Sequence, residues 1–226
     1  MKKKEPVLKT KRLLLQPMTE QQTQKLIDSQ DTEELRTAYG EMLAGSRNDP
    51  ENRLWYTPWQ MTLKADHSDI GDLCFKGPAR DNAVEIGYGI LPAYEGRGYT
   101  TEAVQAMTRW AFDHEDVVFV EAETDPNNKA SQRVLEKCGF TPDGAGGEGP
   151  RFVLEKPMTS WMTIYMLFGI SIGTSLGASL NSVGVGISMG LCLGLCIGTA
   201  LDASARKERE KCREQRRQRR HESIST

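Results

Sequence analysis

The sequence predicts an α+β domain followed by a hydrophobic helical hairpin and a basic tail. The 226 residues divide by composition into an acidic body over 1–156, an uncharged glycine-rich stretch over 157–201, and a basic tail over 202–226. The body contains several short apolar runs and then alternates strand-like and helix-like patterns, which is typical of a mixed, mostly antiparallel sheet flanked by helices. The uncharged stretch contains no Asp, Glu, Lys, Arg or His, which excludes a uniformly soluble globule.

The first half of the body is predicted to form strands that pair in an antiparallel arrangement. Residues 13–17 form an apolar run that a proline ends, as in a short strand. A polar helical pattern covers residues 20–43 and is interrupted near Asp31. Residues 59–63 alternate in polarity, and we expect them to pair with a strand over 70–75 across a turn.

The second half of the body is predicted to alternate strands and helices, which gives the domain its α/β character. A strand over residues 83–90 precedes a glycine-containing turn. The helix after this turn has one apolar face, formed by Ala103, Met107, Trp110 and Ala111. The β-branched run at 117–120 predicts a further strand. A second helix, capped by an asparagine at position 127 or 128, precedes a last strand over 152–154.

The turn over residues 95–100, Glu-Gly-Arg-Gly-Tyr-Thr, lies between a predicted strand and the start of a helix. Its glycines allow a ligand to approach the backbone, and the unpaired N–H groups and dipole of the helix favour a phosphate group. Arg97 adds a cation at the same place. A plain turn without a ligand is the alternative. The turn is neither a Walker loop, because no Gly-Lys-Ser/Thr follows, nor a dinucleotide fingerprint, because Thr101 replaces its third glycine.

Four short runs in the body together resemble the GNAT superfamily of N-acetyltransferases. In order along the chain they are Glu85-Ile86-Gly87-Tyr88-Gly89-Ile90, Glu95 to Ala103, Asn128-Lys129-Ala130-Ser131, and Leu135 to Phe140. The pattern is similar to the RimJ/RimL type, the ribosomal-protein N-terminal acetyltransferases, and covers residues 7–156. The resemblance implies a GNAT-like fold and acetyl-CoA as the acyl donor, with no metal.

The resemblance also implies where acetyl-CoA binds. The pyrophosphate is expected on the loop over 95–100, and the pantetheine arm between the splayed strands over 83–90 and 117–123. Asn128 and Ser131 match family residues near the cofactor thiol. The residues expected to bind the cofactor are Tyr88, Gly89, Ile90, Glu95, Gly96, Arg97, Gly98, Tyr99, Thr100, Asn128 and Ser131.

The implied reaction is direct transfer of the acetyl group to a neutral amine, which requires a base. Glu85 matches a position where some family members place this base, and Glu123 on the next strand is a second candidate. For either carboxylate the alternative is a solvated or ion-paired strand residue. The family's frequent tyrosine near the departing thiolate is Leu135 here, so we expect Ser131 or solvent to supply the proton. A capping or packing role is the alternative for Ser131. Three aromatic residues either line the acceptor cleft or pack in the core: Trp55, Tyr56 and Trp59.

The uncharged stretch is long enough for two helices of about eighteen residues, each near the lower limit for a transmembrane helix. Glycines recur every fourth residue on each side of Asn181-Ser182. They are Gly169, Gly173 and Gly177, and then Gly186, Gly190, Gly194 and Gly198. Such a glycine zipper lets helix backbones approach closely in lipid. The expected partners of this segment are membrane lipid and a homo-oligomer formed through the zipper, with a soluble helical hairpin as the alternative.

The tail over 202–226 carries nine Lys or Arg against five Asp or Glu. This positive excess beside the second span predicts a cytoplasmic C-terminus, and a hairpin then places the body on the cytoplasmic side of the cell membrane. A purely cytoplasmic protein with a solvated tail helix is the alternative. Because the whole chain has a net charge of only −2, nucleic acid is not an expected partner.

Together these features predict a membrane-anchored N-acetyltransferase, an acyltransferase that moves an acetyl group from acetyl-CoA to a protein N-terminus or a small-molecule amine. The competing hypothesis is a non-catalytic CoA-binding or membrane-assembly protein built on a degenerate acyltransferase fold. Glu95, Thr100 and Leu135, which depart from the residues usual in the family, favour that hypothesis.

Overall fold

The computed structural model describes residues 5–179 and 181–224, without the side chains of 219–224. The end of the predicted basic tail, including the side chains of Arg219, Arg220 and His221, therefore lies outside the described residues. The chain forms two compact units, residues 1–156 and residues 157–226.

The first unit is built on an eight-stranded sheet with the order β1-β2-β3-β4-β5-β6-β8-β7. The strands are β1 (Leu8–Lys9), β2 (Leu13–Pro17), β3 (Trp59–Leu63), β4 (Asp69–Phe75), β5 (Ala83–Ile90), β6 (Phe119–Glu123), β7 (Thr141–Ala145) and β8 (Pro150–Glu155). Only β5 and β6 pair in parallel, and the other neighbours are antiparallel. The predicted fold class, a mixed and mostly antiparallel sheet flanked by helices, is confirmed.

The described part of this unit has a 3-10 turn at Pro92–Tyr94, after β5, and five α-helices. They are α1 (Glu20–Asp28), α2 (Glu33–Asn48), α3 (Arg53–Tyr56), α4 (Tyr99–Phe112) and α5 (Lys129–Lys137). The interruption predicted near Asp31 is real, because Thr32 caps a new helix by accepting a hydrogen bond from the N–H of Leu35. Asn128 caps α5 in the same way through the N–H of Ser131.

The core lies on the sheet face that packs against α4. Alternate residues of the central strands, such as Leu15, Met61 and Leu73, are completely buried there together with Val104 and Met107 of α4. Three core aromatic rings, those of Trp55, Trp59 and Phe75, surround Trp110 with centroid distances of 4.7, 5.2 and 5.8 Å. Trp55 and Trp59 therefore pack in the core and do not line an acceptor cleft.

Four short elements were not predicted, namely β1, α3, β7 and the 3-10 turn at Pro92–Tyr94, and one strand is shifted along the chain. Strand β1 has two residues and helix α3 a single turn, so neither has a measurable period. Strand β7, Thr-Pro-Asp-Gly-Ala, has a composition typical of turns, and only its pairing with β8 makes it a strand. Strand β6 begins at Phe119 because the N–H groups of Val118 and Phe119 both donate to the carbonyl of Asn82.

The second unit is a hairpin of two helices, α6 (Trp161–Ser179) and α7 (Val183–Ile224). Helix α7 continues without a break past Asp202, so the predicted boundary between 201 and 202 falls inside it. The carboxylate of Asp202 accepts hydrogen bonds from the N–H of Trp161 at 2.7 Å and of Met162 at 3.3 Å. Asp202 thereby caps the first turn of α6 and closes the open end of the hairpin.

The glycines of the two helices face each other inside this hairpin. A Cβ atom added to Gly190 would collide with the carbonyl oxygen of Gly169, and one added to Gly173 with that of Gly186. Among the glycines of α6 and α7, only Gly184 has open space around it. Long apolar side chains point outward instead, and Phe168, Val185 and Met189 are 61%, 60% and 64% exposed. By length and composition alone, both helices are able to cross a membrane.

Candidate active site

The glycine turn adopts a conformation that only its glycines allow at low cost. Gly96 and Gly98 have φ angles of +70° and +76°, in the left-handed region. Gly98 occupies the N-cap position of α4 and has no side chain to cap it. The first N–H groups of a 14-residue helix therefore point into the turn without a capping side chain, which is the geometry of an anion site. Space is open around Gly96.

Arg12, immediately before β2, stabilises the turn through several contacts. Its Nε donates to Glu102 Oε2 at 2.7 Å, and its backbone N–H donates to Glu102 Oε1 at the same distance. Its Nη1 donates to the carbonyl of Arg97 at 2.9 Å, and its guanidinium stacks 4.4 Å from the centroid of the Tyr99 ring. Partial burial raises the pKa of Glu102, but hydrogen bonds from Thr10 and Arg12 and the charge of Arg12 outweigh it and hold the pKa below its usual range. Arg12 was not among the predicted site residues, because it lies 85 residues from the turn that it supports.

The parallel strands β5 and β6 separate immediately beside this turn. Their pairing runs from Ala83 and Phe119 to Glu85 and Glu121 and then ends. Strand β5 nevertheless continues to Ile90, held on its other side by β4. Within the described chain residues 86–90 have no partner on β6, so those of their peptide groups that face away from β4 are available to an extended ligand.

A tyrosine–serine pair bridges β5 and α5 next to this gap. The hydroxyls of Tyr88 and Ser131 lie 2.8 Å apart, and the Tyr88 hydroxyl also donates to the Ser131 carbonyl at 3.3 Å. The N–H of Ser131 is fixed by the Asn128 cap at 2.9 Å. Burial raises the pKa of Tyr88 to about 12, so its hydroxyl stays protonated at neutral pH. Leu135 is completely buried in the core.

Glu85 lies at the last paired position of β5 and points to the face opposite the core. Its Oε1 forms an ion pair with Lys76 Nζ at 2.7 Å, and the same ammonium group forms a second ion pair with Glu148 at 2.8 Å. Burial raises the pKa of Glu85, with smaller contributions of the same sign from Glu123 and Glu148, and Lys76 opposes these effects. Glu85 is thus a carboxylate of increased basicity at the closed end of the gap.

Glu123, the second candidate base, is enclosed by other groups. Its Oε1 accepts a bond from Arg151 Nε at 2.8 Å and another from Arg151 Nη2, and its Oε2 accepts from the N–H of Glu148 at 3.0 Å. Although burial raises its pKa, these bonds dominate and lower it. The backbone at Gly146 lies so close that a Cβ there would overlap the Glu123 carboxylate.

A second pair of side chains lies on the Glu85 face of the sheet and was missed by the sequence analysis. The Tyr39 hydroxyl, from α2, donates to Asp72 Oδ2 of β4 at 2.7 Å. In the β4–β5 register Asp72 lies opposite Gly89, and Cys74 lies opposite Gly87. Because side chains alternate along a strand, the β4–β5 register is enough to place Asp72 and Cys74 on the same face of the sheet as Glu85. Tyr39 comes from a distant helix and reaches this face only in the folded chain.

The predicted cofactor residues therefore fall into two neighbouring places. Residues 95–100 form the turn at the start of α4, and Tyr88, Gly89 and Ile90 form the unpaired edge of β5, with Asn128 and Ser131 across from it. The two predicted bases lie on the opposite face, where Glu85 and Glu123 have different partners. In the described part of the chain, no group of three or more His, Cys, Asp or Glu is placed to hold a metal ion.

Known proteins share this architecture. A family model described as an acetyltransferase (GNAT) domain matches residues 9–141, more than half of the chain. The uncharacterized N-acetyltransferase YjdG of Bacillus subtilis is 31% identical over 86 residues, which are 38% of this chain and 51% of YjdG. The chain spans about half the length of the curated relatives that it matches first.

Two solved structures show the same fold at low sequence identity. The ribosomal-protein-S5-alanine acetyltransferase of Vibrio fischeri has a TM-score of 0.54 at 15% identity, over 67% of this chain and 97% of its own. RimL, a ribosomal alpha-N-protein acetyltransferase in complex with coenzyme A, has a TM-score of 0.51 at 17% identity, over 66% and 98% of the two chains. The sheet with its separated parallel strands, the glycine turn before α4 and the family match agree, and the chain belongs to the GNAT acetyltransferase family.

Proposed function

We propose that the protein is an N-acetyltransferase that moves an acetyl group from acetyl-CoA directly to an amine. The observation that carries this proposal is the uncapped start of α4, with two left-handed glycines, beside the gap between β5 and β6. The turn suits a pyrophosphate, and the gap suits the amide-containing pantetheine arm. Family membership supports the same donor.

Different segments of the chain would bind different parts of acetyl-CoA. Backbone N–H groups of residues 96–101 would contact the pyrophosphate, and Arg97 would add a charged contact. The unpaired peptide groups of β5 from Tyr88 to Ile90 would pair with the pantetheine arm. When bound, acetyl-CoA supplies a thioester carbonyl and a thiolate leaving group. A peptide N–H on the separated edge of β5 would stabilise the charge that develops on the carbonyl oxygen.

Glu85 is the base of the proposed mechanism. The acceptor amine must lose a proton to attack, and Glu85 is the predicted carboxylate whose pKa is raised by burial. Glu123 is a poorer candidate because the same oxygens that would accept a proton already accept bonds from Arg151 and Glu148. Lys76 would hold the Glu85 carboxylate in place and share its charge with Glu148.

The hydroxyls of Tyr88 and Ser131 would interact with the leaving group. Both lie at the pantetheine edge, and their mutual bond of 2.8 Å fixes their orientation. With its pKa raised to about 12, Tyr88 would donate its hydroxyl hydrogen to the departing thiolate, in place of the Ser131 carbonyl, rather than act as a strong acid. This pair would fill the role for which the family's frequent tyrosine is absent at Leu135.

The pyrophosphate turn is tested by a change at Gly98, measured as acetyl-CoA affinity of the full chain by calorimetry. Because Asp and Asn tolerate a positive φ better than other residues, both Gly98→Asp and Gly98→Asn should fold. We expect Gly98→Asp to weaken binding at least about tenfold by repelling the pyrophosphate, and Gly98→Asn to weaken it less. Gly139→Asp, also at a positive φ but at the end of α5, is the control. Equal affinity of the wild type and Gly98→Asp would contradict the proposal.

We assign the acceptor as a primary amine, of a protein N-terminus or of a small molecule. The RimJ/RimL-type motifs favour a protein N-terminus, and the solved structures contribute the fold alone to this assignment. The open face of β5 around Gly87 and Gly89 offers the acceptor a place beside Glu85.

We also propose that the α6–α7 hairpin inserts into the membrane and holds the body at the cytoplasmic side. Three features support this: the outward apolar side chains, the close glycine packing, and the basic residues that follow Asp202 on α7. No homo-oligomer through the glycines is proposed, because these glycines already pack within the chain.

The anchor is tested by detergent phase partition. We expect the full chain to enter the detergent phase and a chain ending at residue 156 to remain in the aqueous phase. Full-length protein that stays soluble and monodisperse without detergent would contradict the membrane proposal. Enzymatic activity of the shorter chain does not bear on this result, so the anchor and the catalytic proposal are separable.

A further inference from the structure

The pair formed by Tyr39 and Asp72 lies on the acceptor side of the sheet but takes no part in the mechanism above. Tyr39 donates to Asp72 Oδ2 at 2.7 Å, which leaves Oδ1 on the side of Gly89. A Cβ built on Gly89 would lie 3.9 Å from Asp72 Oδ1. The carboxylate therefore borders directly on the strand whose other edge receives the pantetheine arm in the proposed mechanism.

The surface of strand β5 between Asp72 and Glu85 is open. Gly87 and Gly89 share the face of Glu85, because side chains alternate along a strand. A Cβ on Gly87 would meet only Cys74 Sγ at 3.5 Å, and one on Gly89 only Asp72. Two glycines in a strand interior weaken the strand, and such positions often mark the close approach of a ligand. Here they leave room for a molecule that lies along β5.

The Asp72 carboxylate has no cation to balance its charge in the described part of the chain. The Asp72 carboxylate accepts a hydrogen bond from the neutral Tyr39, and no described Lys, Arg or His forms an ion pair with it. Burial raises the pKa of Asp72, and the bond from Tyr39 opposes this shift only in part. A partly buried anion of this kind is stabilised by a cation that enters the site.

We propose that Asp72, oriented by Tyr39, binds a second positively charged group of the acceptor, so that the acceptor is a diamine or polyamine whose other amine reacts beside Glu85. This inference rests on the proposed acetyl transfer. Asp72 lies opposite Gly89, four residues from Glu85 along β5, which corresponds to about 13 Å at about 3.3 Å per residue. The two carboxylates thus select acceptors by the distance between their amines.

The test is calorimetric binding of three probes to the full-length, CoA-saturated protein. The probes are α,ω-diaminooctane, whose two amines are far enough apart to reach both carboxylates; diaminoethane, whose amines are not; and amino-octanol, in which a hydroxyl replaces one amine. We expect diaminooctane to bind at least about tenfold more tightly than the other two, since one bond to a charged group is worth about that factor. Equal binding of diaminooctane and amino-octanol would overturn the proposal.

The variants locate the effect. Asp72→Asn keeps the shape and the Tyr39 partner but removes the charge, and should abolish the preference for diaminooctane. Tyr39→Phe should reduce it by less, because the charge remains. Asp69→Asn removes an exposed carboxylate of the same strand, bonded to Thr62, and should change nothing. A preference that survives both Asp72→Asn and Tyr39→Phe would also overturn the proposal.

The affinity for CoA separates this proposal from the one on which it rests. It is measured in the same preparations before the probes are added. Tight CoA binding without diamine preference contradicts only the acceptor inference. A folded wild type that does not bind CoA contradicts the proposed acetyl transfer itself. The thermal unfolding of each variant identifies any that fails to fold, and Tyr39→Phe then decides the question if Asp72→Asn is lost.

Discussion

Replacement of Glu85 by Gln is expected to lower kcat of acetyl transfer by about two to four orders of magnitude while the affinity for acetyl-CoA stays the same. Glutamine has nearly the same shape and still accepts a bond from Lys76, but it does not take a proton from the amine. The measurement is thiol release from acetyl-CoA with a primary amine as acceptor, together with calorimetry of acetyl-CoA binding.

The pH dependence gives a second readout of the same residue. Glu85 must be deprotonated to act as a base, so activity is lost as the pH falls through its pKa. Because burial raises this pKa, the loss should begin at a higher pH than for an ordinary glutamate with a pKa of 4.5. In Glu85→Gln the loss of activity at low pH that reflects protonation of Glu85 should disappear from the pH–activity profile. Only the loss caused by protonation of the acceptor amine should remain.

Two controls distinguish a base from a structural ion pair. Glu148→Gln removes the other partner of Lys76 at an exposed position and should leave kcat within a few-fold of the wild type. Glu123→Gln removes the charge that pairs with Arg151 and the oxygen that accepts from the N–H of Glu148, so it should lower stability without removing the loss of activity at low pH. If Glu85→Gln retains full kcat, or if the loss of activity at low pH moves with Glu123 instead, the assignment of the base is wrong.

Substitution of alanine for Gly190 is expected to destabilise the α6–α7 hairpin, whereas the same change at Gly184 on the same helix should stabilise it. A Cβ at Gly190 collides with the backbone of Gly169, so the two helices must move apart, at a cost of about 1–3 kcal/mol. A Cβ at Gly184 meets nothing, and alanine favours a helix over glycine by about 0.8–1 kcal/mol.

The opposite signs make this pair of variants decisive. The measurement is thermal unfolding of the full-length protein in detergent, followed by helical circular dichroism. Gly173→Ala should behave like Gly190→Ala, since its Cβ would meet the carbonyl of Gly186. Equal and small shifts for all three variants would mean that the two helices do not pack through their glycines.

Much of the fold follows from short-range patterns in the sequence. The alternation in residues 59–63 corresponds to β3, whose outer residues and centre are buried while those between them are not. The break near Asp31 and the start of α5 follow from Thr32 and Asn128, which act as helix caps. The strand–glycine turn–helix order predicts a glycine turn before α4, and the structure shows that Gly96 and Gly98 both have a positive φ there. These features depend on residues that are close together in the sequence, so a single sequence is enough to predict them.

The chemistry of the site depends on contacts between distant residues, and the sequence alone left its alternatives open. Glu85 and Glu123 look alike in the sequence, but the fold places one against Lys76 and the other under Arg151, which is 28 residues away. Tyr88 meets Ser131 across 43 residues, and Tyr39 meets Asp72 across 33. Trp55 and Trp59 are core residues because Trp110 of α4 packs between them.

The sequence by itself determined the class of the sheet, the glycine turn and the presence of two apolar helices. Each of these is encoded by local composition and period. Only the tertiary structure decided which carboxylate has its pKa raised by burial, that the Tyr88 and Ser131 hydroxyls meet beside the unpaired part of β5, and that the glycine stripes face each other within one chain. Burial and ion pairing set these properties, and both arise only when strands and helices that are far apart in the chain pack together.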